Sequence, residues 1–456
     1  LREIQFSIET QPAVFTPERG LPVPVLDETH DAHLTSFIHS AAAGTTDFPI
    51  QNLPFGVFRR DGGKDARIGI AIGDEILDVA QALEADLFEG DAFGATEVLR
   101  DGTLNSLMAL GPRPAKALRL AVSRLLRAGT ARQSDVGACL VQMRDVRFDL
   151  PAQIGNFTDF LTSLQHSTNV ARIFGQPERA NFKSLPIAYH GRASTVAVSD
   201  TPCIRPQGQI RPKRDEPPIF ALSRQLDFEA EVGVFVASGN RRGKPIALAD
   251  AQAHVFGLCL LNDWSARDIQ SWESQPLGPF LAKSFLTSIS PWIVTLDALA
   301  PFRVAATDRG TAPPLLAYLD DAADRSAGAI DIDLEVLIST PGMRDKGLAP
   351  LALSHPRFRE QYWTIFQMIA HHTSNGCCLL PGDLFGSGTV SGTAENELGC
   401  LLEMTEAGRK PFTLPSGETR TFLENGDEVI MRGRCAREGF VSIGFGECRG
   451  EISAAD

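Results

Sequence analysis

The stretch Asp227-Phe228-Glu229-Ala230-Glu231-Val232-Gly233-Val234-Phe235-Val236 decides how the chain is read. Its residues alternate with the period of a β-strand, in which side chains i and i+2 share one face. Glu229 and Glu231 therefore point the same way. Two carboxylates side by side repel unless a cation or protons lie between them, so a buried face bearing both is costly without a counter-charge. Similar short runs follow, Ile330-Asp331-Ile332-Asp333-Leu334-Glu335-Val336 and Glu428-Val429-Ile430-Met431, with Gly and Pro between them. Such density of short strands and turns predicts a large catalytic domain over residues 151–456, mostly β with some helix. Helices are expected near 250–258 and 359–372, and no internal repeat is visible.

Upstream of this domain the character differs. Arg67-Ile68-Gly69-Ile70-Ala71-Ile72, a Gly73-Asp74 turn and Glu75-Ile76-Leu77-Asp78 read as a β-hairpin. Residues 102–129 read as helix, broken in two at Gly111-Pro112. Together they predict a small mixed domain over residues 35–150, with ordered sequence beginning near Phe48. Residues 1–34 hold scattered prolines and no period, and are expected to form an extension, a loose arm or a targeting remnant. Its His30 and His33 read better as part of a solvated tail than as metal ligands.

Composition narrows the function classes. The 456 residues carry a formal charge of −13 and no basic stripe, so no nucleic-acid partner is expected. No long apolar run and no signal peptide are found, so no membrane partner is expected. Eight cysteines, none in a CxxC pair, read as reduced thiols, and a cytoplasmic location is expected. The sequence begins at Leu1 and not at Met, which leaves its true start open.

Further acidic residues join the opening pair. Asn262-Asp263-Trp264-Ser265-Ala266-Arg267-Asp268-Ile269-Gln270 follows the apolar run Val255–Leu261, and Thr158-Asp159-Phe160 opens the large domain. Asp159, Glu229, Glu231 and Asp263 together offer hard oxygen ligands, which suit Ca²⁺ or Mg²⁺, with Mn²⁺ as a further option, better than Zn²⁺. Any one of them alone is more often a surface residue. His371-His372 looks like a metal pair, but neighbouring helical residues point about 100° apart, which favours packing roles. Asn425-Gly426-Asp427 reads as a turn with no chemistry. Lys283 lies in an apolar run between Leu281 and Phe285, which favours a buried role over a surface one.

At these residues the chain resembles the fumarylacetoacetase family, from roughly Ser36 to Gly450. The likeness rests on Asp47-Phe48-Pro49-Ile50-Gln51-Asn52-Leu53-Pro54-Phe55-Gly56-Val57-Phe58, Tyr189-His190-Gly191-Arg192-Ala193-Ser194, Asn262 through Gln270, Pro276-Leu277-Gly278-Pro279-Phe280-Leu281 and Gly388-Thr389-Val390-Ser391-Gly392. The resemblance implies an SH3-like barrel followed by a large rolled mixed β-sheet, a homodimer, a bound Ca²⁺ or Mg²⁺, and hydrolysis of a carbon–carbon bond in a diketo acid. It also implies a place in aromatic amino acid catabolism, that of tyrosine, although the residues do not decide between this and another pathway. By motif, Asp159, Glu229, Glu231 and Asp263 would hold the metal, with Lys283 and Thr287 at a second, Mg²⁺-like site. His166 matches the catalytic base and Glu403 the carboxylate that orients it. Arg267, Gln270 and Lys283 match groups around the reacting carbonyl, and Tyr189 and Thr389 match substrate contacts.

Three positions depart from the family pattern. Leu161 and Ser274 stand where the family has tyrosine, and Gly175 where it has arginine; in the family these groups meet the polar and acidic parts of the substrate. The expectation is intact machinery serving a different β-diketone or acylpyruvate, less acidic or differently shaped than fumarylacetoacetate, with Arg172 one turn before Gly175 as a candidate substitute. Two alternatives stay open: a decarboxylase, isomerase or hydratase acting on a related keto acid, and a non-enzymatic paralogue. Retention of both His166 and Glu403 favours hydrolysis, because the other reactions need not activate water in this way.

Overall fold

A computed structural model of the protein describes residues 24–60, 62–213, 215–310 and 312–455. The expected arm thus lies outside the described residues up to position 23. The rest of it is not a solvated tail. His30 is buried in a short 3₁₀ turn, Glu28–His30, and its Nε2 lies 2.9 Å from the backbone carbonyl of Asp297. Order therefore begins ahead of Phe48, because long-range polar contacts anchor a segment that has little apolar period.

The N-terminal unit is built on an antiparallel sheet in the order Leu140–Gln142, Glu75–Asp78, Arg67–Ile72, Phe55–Arg60, Val146–Asp149. Its two edge strands follow one another in sequence, joined only by Met143–Asp145. So short a link draws the edges together and curls the sheet toward a barrel. The predicted hairpin pairs Ile70 with Leu77, and the helical stretch splits into Asn105–Ala109 and Pro112–Leu126.

Two larger sheets follow. The first is mixed and runs Ile187–Gly191, Phe157–Leu161, Leu384–Gly386, Ala230–Val236, Val255–Asp263, Thr287–Ile289, Val196–Val198, with Val294–Thr295 added on Val255–Asp263. The second runs Leu351–Ser354, Asp333–Ser339, Glu428–Cys435, Ile443–Ser453, Cys203–Ile204. Val232, Val234, Leu258 and Leu260 from the first pack with Val336, Ile338, Met431 and Phe445 from the second. The opposite face of the first sheet presents Phe157, Phe235, Leu261 and Leu384 to the N-terminal unit, joining Phe55, Val57, Ile70 and Leu118 in one core. Being covered on both faces explains the unbroken apolar run Val255–Leu261. The helix expected over 250–258 is a 3₁₀ segment, Leu248–His254, and its last four residues belong to the strand instead. Among the described residues no helix is long and apolar enough to cross a membrane.

Phe235 is fully buried where the N-terminal unit meets the sheet. Phe235→Ala is expected to destabilise the protein by about 3–5 kcal/mol, read as a lower denaturant midpoint with the slope of the transition unchanged.

Candidate active site

Strand alternation assembles the acidic residues. Asp159 follows Phe157 by two, Glu231 precedes Phe235 by four, Asp263 follows Leu261 by two, and Gly386 follows Leu384 by two. All four therefore continue the sheet face that packs on the N-terminal unit. The apolar part of that face is covered and the remainder carries the site. Asp159, Glu229, Glu231 and Asp263 are all buried and each offers one oxygen within 4.8 Å of the others. A Cβ on Gly386 would lie 2.5 Å from Asp159 Oδ1 and 2.8 Å from Glu231 Oε2, so only a residue without one lets the two carboxylates close over that strand.

The cluster's electrostatics divide in two. Lys283 donates to Glu229 Oε2 at 2.5 Å and to Asp263 Oδ2 at 2.7 Å. Arg267 donates to Glu229 Oε1 at 2.6 Å and to Gln270 Oε1 at 3.1 Å. Thr287 and Tyr189 donate to Asp263 at 3.0 and 2.9 Å. Burial disfavours ionised Glu229, but Lys283 and Arg267 overcome it and hold its carboxyl below the usual range. Burial, and then the neighbouring carboxylates, push Asp159 and Glu231 well above it. Asp159 Oδ1 and Glu231 Oε1 are buried without a hydrogen-bond partner. Orphaned oxygens of this kind, beside two more hard ligands, fit a divalent cation. Lys283, while it bridges two carboxylates as an ammonium, has no lone pair on Nζ to offer a metal. Its side chain serves as a fixed counter-cation.

The second half of the site is the pair His166–Glu403. Ser163 caps the helix Leu164–Ile173, its Oγ accepting from His166 N at 3.1 Å, which fixes His166 in the first turn. His166 Nδ1 lies 2.7 Å from Glu403 Oε2. Asn169 donates to Glu403 Oε1 at 2.8 Å, and Ser391 to Oε2 at 2.7 Å. Burial opposes the Glu403 charge, yet His166 and these donors outweigh it and bring the carboxyl down to about 2. Nδ1 is thereby engaged and Nε2 is the nitrogen left for a proton transfer. The two halves adjoin, since His166 lies close enough to Glu229 for the two to interact electrostatically. Two more groups await a partner: Arg267 Nη2 and Thr389 Oγ1 are buried and unpaired.

The remaining sequence candidates are more scattered. Leu161 lies on the Asp159 face of its strand and is half-buried. Gly175 sits at φ 62° just past the His166 helix, and a Cβ there would meet nothing within 4 Å. Ser274 caps the helix Arg267–Glu273, its hydroxyl donating back to the Gln270 carbonyl. Arg172 does not replace the missing arginine: it is exposed and pairs with Glu406 at 3.6 Å. His371 and His372 part as expected, one against the Tyr318 hydroxyl and the other against Thr158 and the Phe385 ring. Sequence reading missed Gly386, Asn169 and the role of Ser391. Ser391 lies inside Gly388–Gly392 and Asn169 three residues after His166, whereas Gly386 gives no local signal.

Two outcomes follow from this geometry. Gly386→Ala is expected to weaken divalent-cation binding by about 10–100-fold, the range for disturbed ligand support, measured by calorimetry with Ca²⁺ or Mg²⁺. Glu403 has a folded pKa of about 2 against an ordinary 4.5, so the stability it contributes is fully present above 4.5 and is lost as pH falls toward 2. Glu403→Gln should remove that part of the acid-side slope in denaturant titrations.

Residues 156–453 match the family described as fumarylacetoacetate (FAA) hydrolase C-terminal, and residues 51–151 the one described as fumarylacetoacetase N-terminal. The fumarylacetoacetase of Oryza sativa subsp. japonica is 46% identical over 433 residues, 92% of this chain and 98% of its own. That of Rattus norvegicus is 44% identical over 421 residues, 91% of this chain and 98% of its own. That of Arabidopsis thaliana is 46% identical over 429 residues, covering 92% and 99%. With both matches spanning nearly its whole length, the chain belongs to the fumarylacetoacetate hydrolase family.

Proposed function

We propose that the protein is a hydrolase that cleaves the carbon–carbon bond of a β-diketo acid with water, giving a carboxylic acid and a keto product. The observation that carries this is the buried His166–Glu403 pair set beside the four-carboxylate cluster. A cation held by Asp159, Glu229, Glu231 and Asp263, Ca²⁺ or Mg²⁺, would polarise the carbonyl under attack and stabilise the departing enolate. The chain's own residues do the rest. His166 Nε2 takes a proton from water as the water oxygen bonds to the carbonyl carbon. Glu403 keeps the ring oriented and stabilises the imidazolium. Arg267, Gln270 and Lys283 lie where negative charge develops. The bond to the central carbon then breaks, its electron pair forms the enolate, and the proton on His166 returns to that carbon. Thr389 and Tyr189 contact the substrate, and Thr287 supports Asp263 at a second cation position. An isomerase or decarboxylase would keep the carboxylates, but it has no need of an oriented base for water.

The preferred substrate is a β-diketone or acylpyruvate less acidic than fumarylacetoacetate, because Leu161, Gly175 and Ser274 withdraw two hydroxyls and a guanidinium from recognition. Exposed Phe220, Leu277 and Phe280, on neighbouring surface segments, suit a homodimer. Eight unpaired cysteines suit the cytosol. In this reading the chain divides near residue 150, with recognition and chemistry in residues 151–456 and residues 35–150 as their cover.

Turnover on a diketone panel tests the reading. Simple acylpyruvates should show a higher kcat/KM than fumarylacetoacetate, and the reverse order would sink the substrate proposal. His166→Ala should lower kcat by about 10²–10⁴-fold with bound cation unchanged; wild-type turnover in that variant would sink the mechanism.

A further inference from the structure

Asp227 belongs to none of the groups assigned so far, although it is fully buried and its carboxylate is saturated by four donors. Oδ1 accepts from Phe228 N at 2.9 Å and from Leu401 N at 2.8 Å. Oδ2 accepts from Leu402 N at 3.0 Å and from Arg267 Nε at 2.8 Å. The two amides from 401 and 402 open the short helical turn Leu401–Met404 that carries Glu403. Arg267 continues to Glu229 and Gln270 through Nη1. One carboxylate therefore ties the backbone beneath Glu403 to the guanidinium that touches the cation ligands.

We infer that Asp227 is a positioning residue that fixes Arg267 and the Glu403 turn relative to one another, so that the base and the oxyanion-stabilising side of the site keep one register. The inference rests on the proposed hydrolysis for its catalytic consequence, but not for its geometry. The Arg267 side chain has no other carboxylate on Nε, and Nη2 is buried and unpaired. Without the Asp227 anchor the guanidinium would be held through Nη1 alone, by Glu229 and Gln270, and would be free to turn about it. The Glu403 turn has only four residues and no side-chain cap of its own at Cys400, so the Asp227 oxygens take that role from across the fold.

Asp227→Asn is the test. The variant keeps the shape but presents N–H donors where a carboxylate oxygen accepted two. Its catalytic signature is a fall in kcat of about 10²-fold, as for loss of one oxyanion donor, with KM for an acylpyruvate changed by less than about threefold and Ca²⁺ content retained. In a double-mutant cycle with Arg267→Gln the two losses should be strongly non-additive; additive losses would overturn the inference, because a merely structural aspartate would act independently of Arg267. The second readout needs no activity. Amide exchange at Leu401 and Leu402 in the Ca²⁺-loaded protein should rise by about tenfold in Asp227→Asn, and unchanged exchange would overturn the inference. If the wild type cleaves no diketone while exchange still rises, the function reading fails and the geometric tie stands. If Asp227→Asn does not fold, Arg267→Lys takes its place: raised exchange at Leu402 supports the tie, and unchanged exchange overturns it.

Discussion

Everything around the site answers one constraint: four carboxylates held within 4.8 Å of one another, out of water. At that spacing each like-charged pair repels by about 4 kcal/mol even at an effective dielectric near 20. The chain supplies a partial answer of its own. Lys283 and Arg267 neutralise Glu229, and Lys283 shares itself with Asp263. Gly388 N donates to Glu231 Oε2 at 3.0 Å. What remains, one unpaired oxygen each on Asp159 and Glu231, is the part that a divalent cation completes. That shortfall of partners is what makes the cluster a binding site and not a set of salt bridges.

The His166–Glu403 pair is built on the opposite plan. Glu403 receives donors from His166, Asn169 and Ser391, so its charge is fully satisfied inside the protein. Satisfaction of this kind fixes a geometry, whereas the deficit at the carboxylate cluster creates an affinity. The two strategies sit side by side because the elements that supply them meet at one end of the first sheet. Both groups are buried.

How much of this could be read from the sequence depended on the range of each cause. The Gly73-Asp74 hairpin is local, was legible and is found; the closeness of Glu229 and Glu231 was legible too, although the strand begins at Ala230 and leaves Glu229 just ahead of it. That Asp159 and Asp263 join the pair depends on pairing between Phe157–Leu161, Leu384–Gly386, Ala230–Val236 and Val255–Asp263, which no local period encodes. Likeness to a family carried those positions. Gly386 was missed because its meaning is a distance to two side chains on neighbouring strands. The packed segment after residue 24 was missed for a related reason: Arg119, buried between Thr29 and Asp297, anchors it through charge and hydrogen bonds, and hydropathy does not register them. The error at 255–258 has the reverse origin, since a strand buried on both faces loses its alternation and looks like a helix's interior.

The distribution of departures from the family follows from the same physics. The carboxylates, Lys283 and Arg267 lie in one network in which removing any member strands a buried charge, so a change there carries a large cost. The altered positions are of another kind. Gly175 lies beyond a helix end in open space, Ser274 satisfies a helix terminus through its own hydroxyl, and Leu161 is half-buried. None is the sole partner of a buried charge. At Gly175 the balance even favours the exchange: φ is 62°, a conformation in which a bulky side chain is strained and glycine is not. Glycine is the residue the backbone there prefers, and its presence leaves the buried network beneath undisturbed.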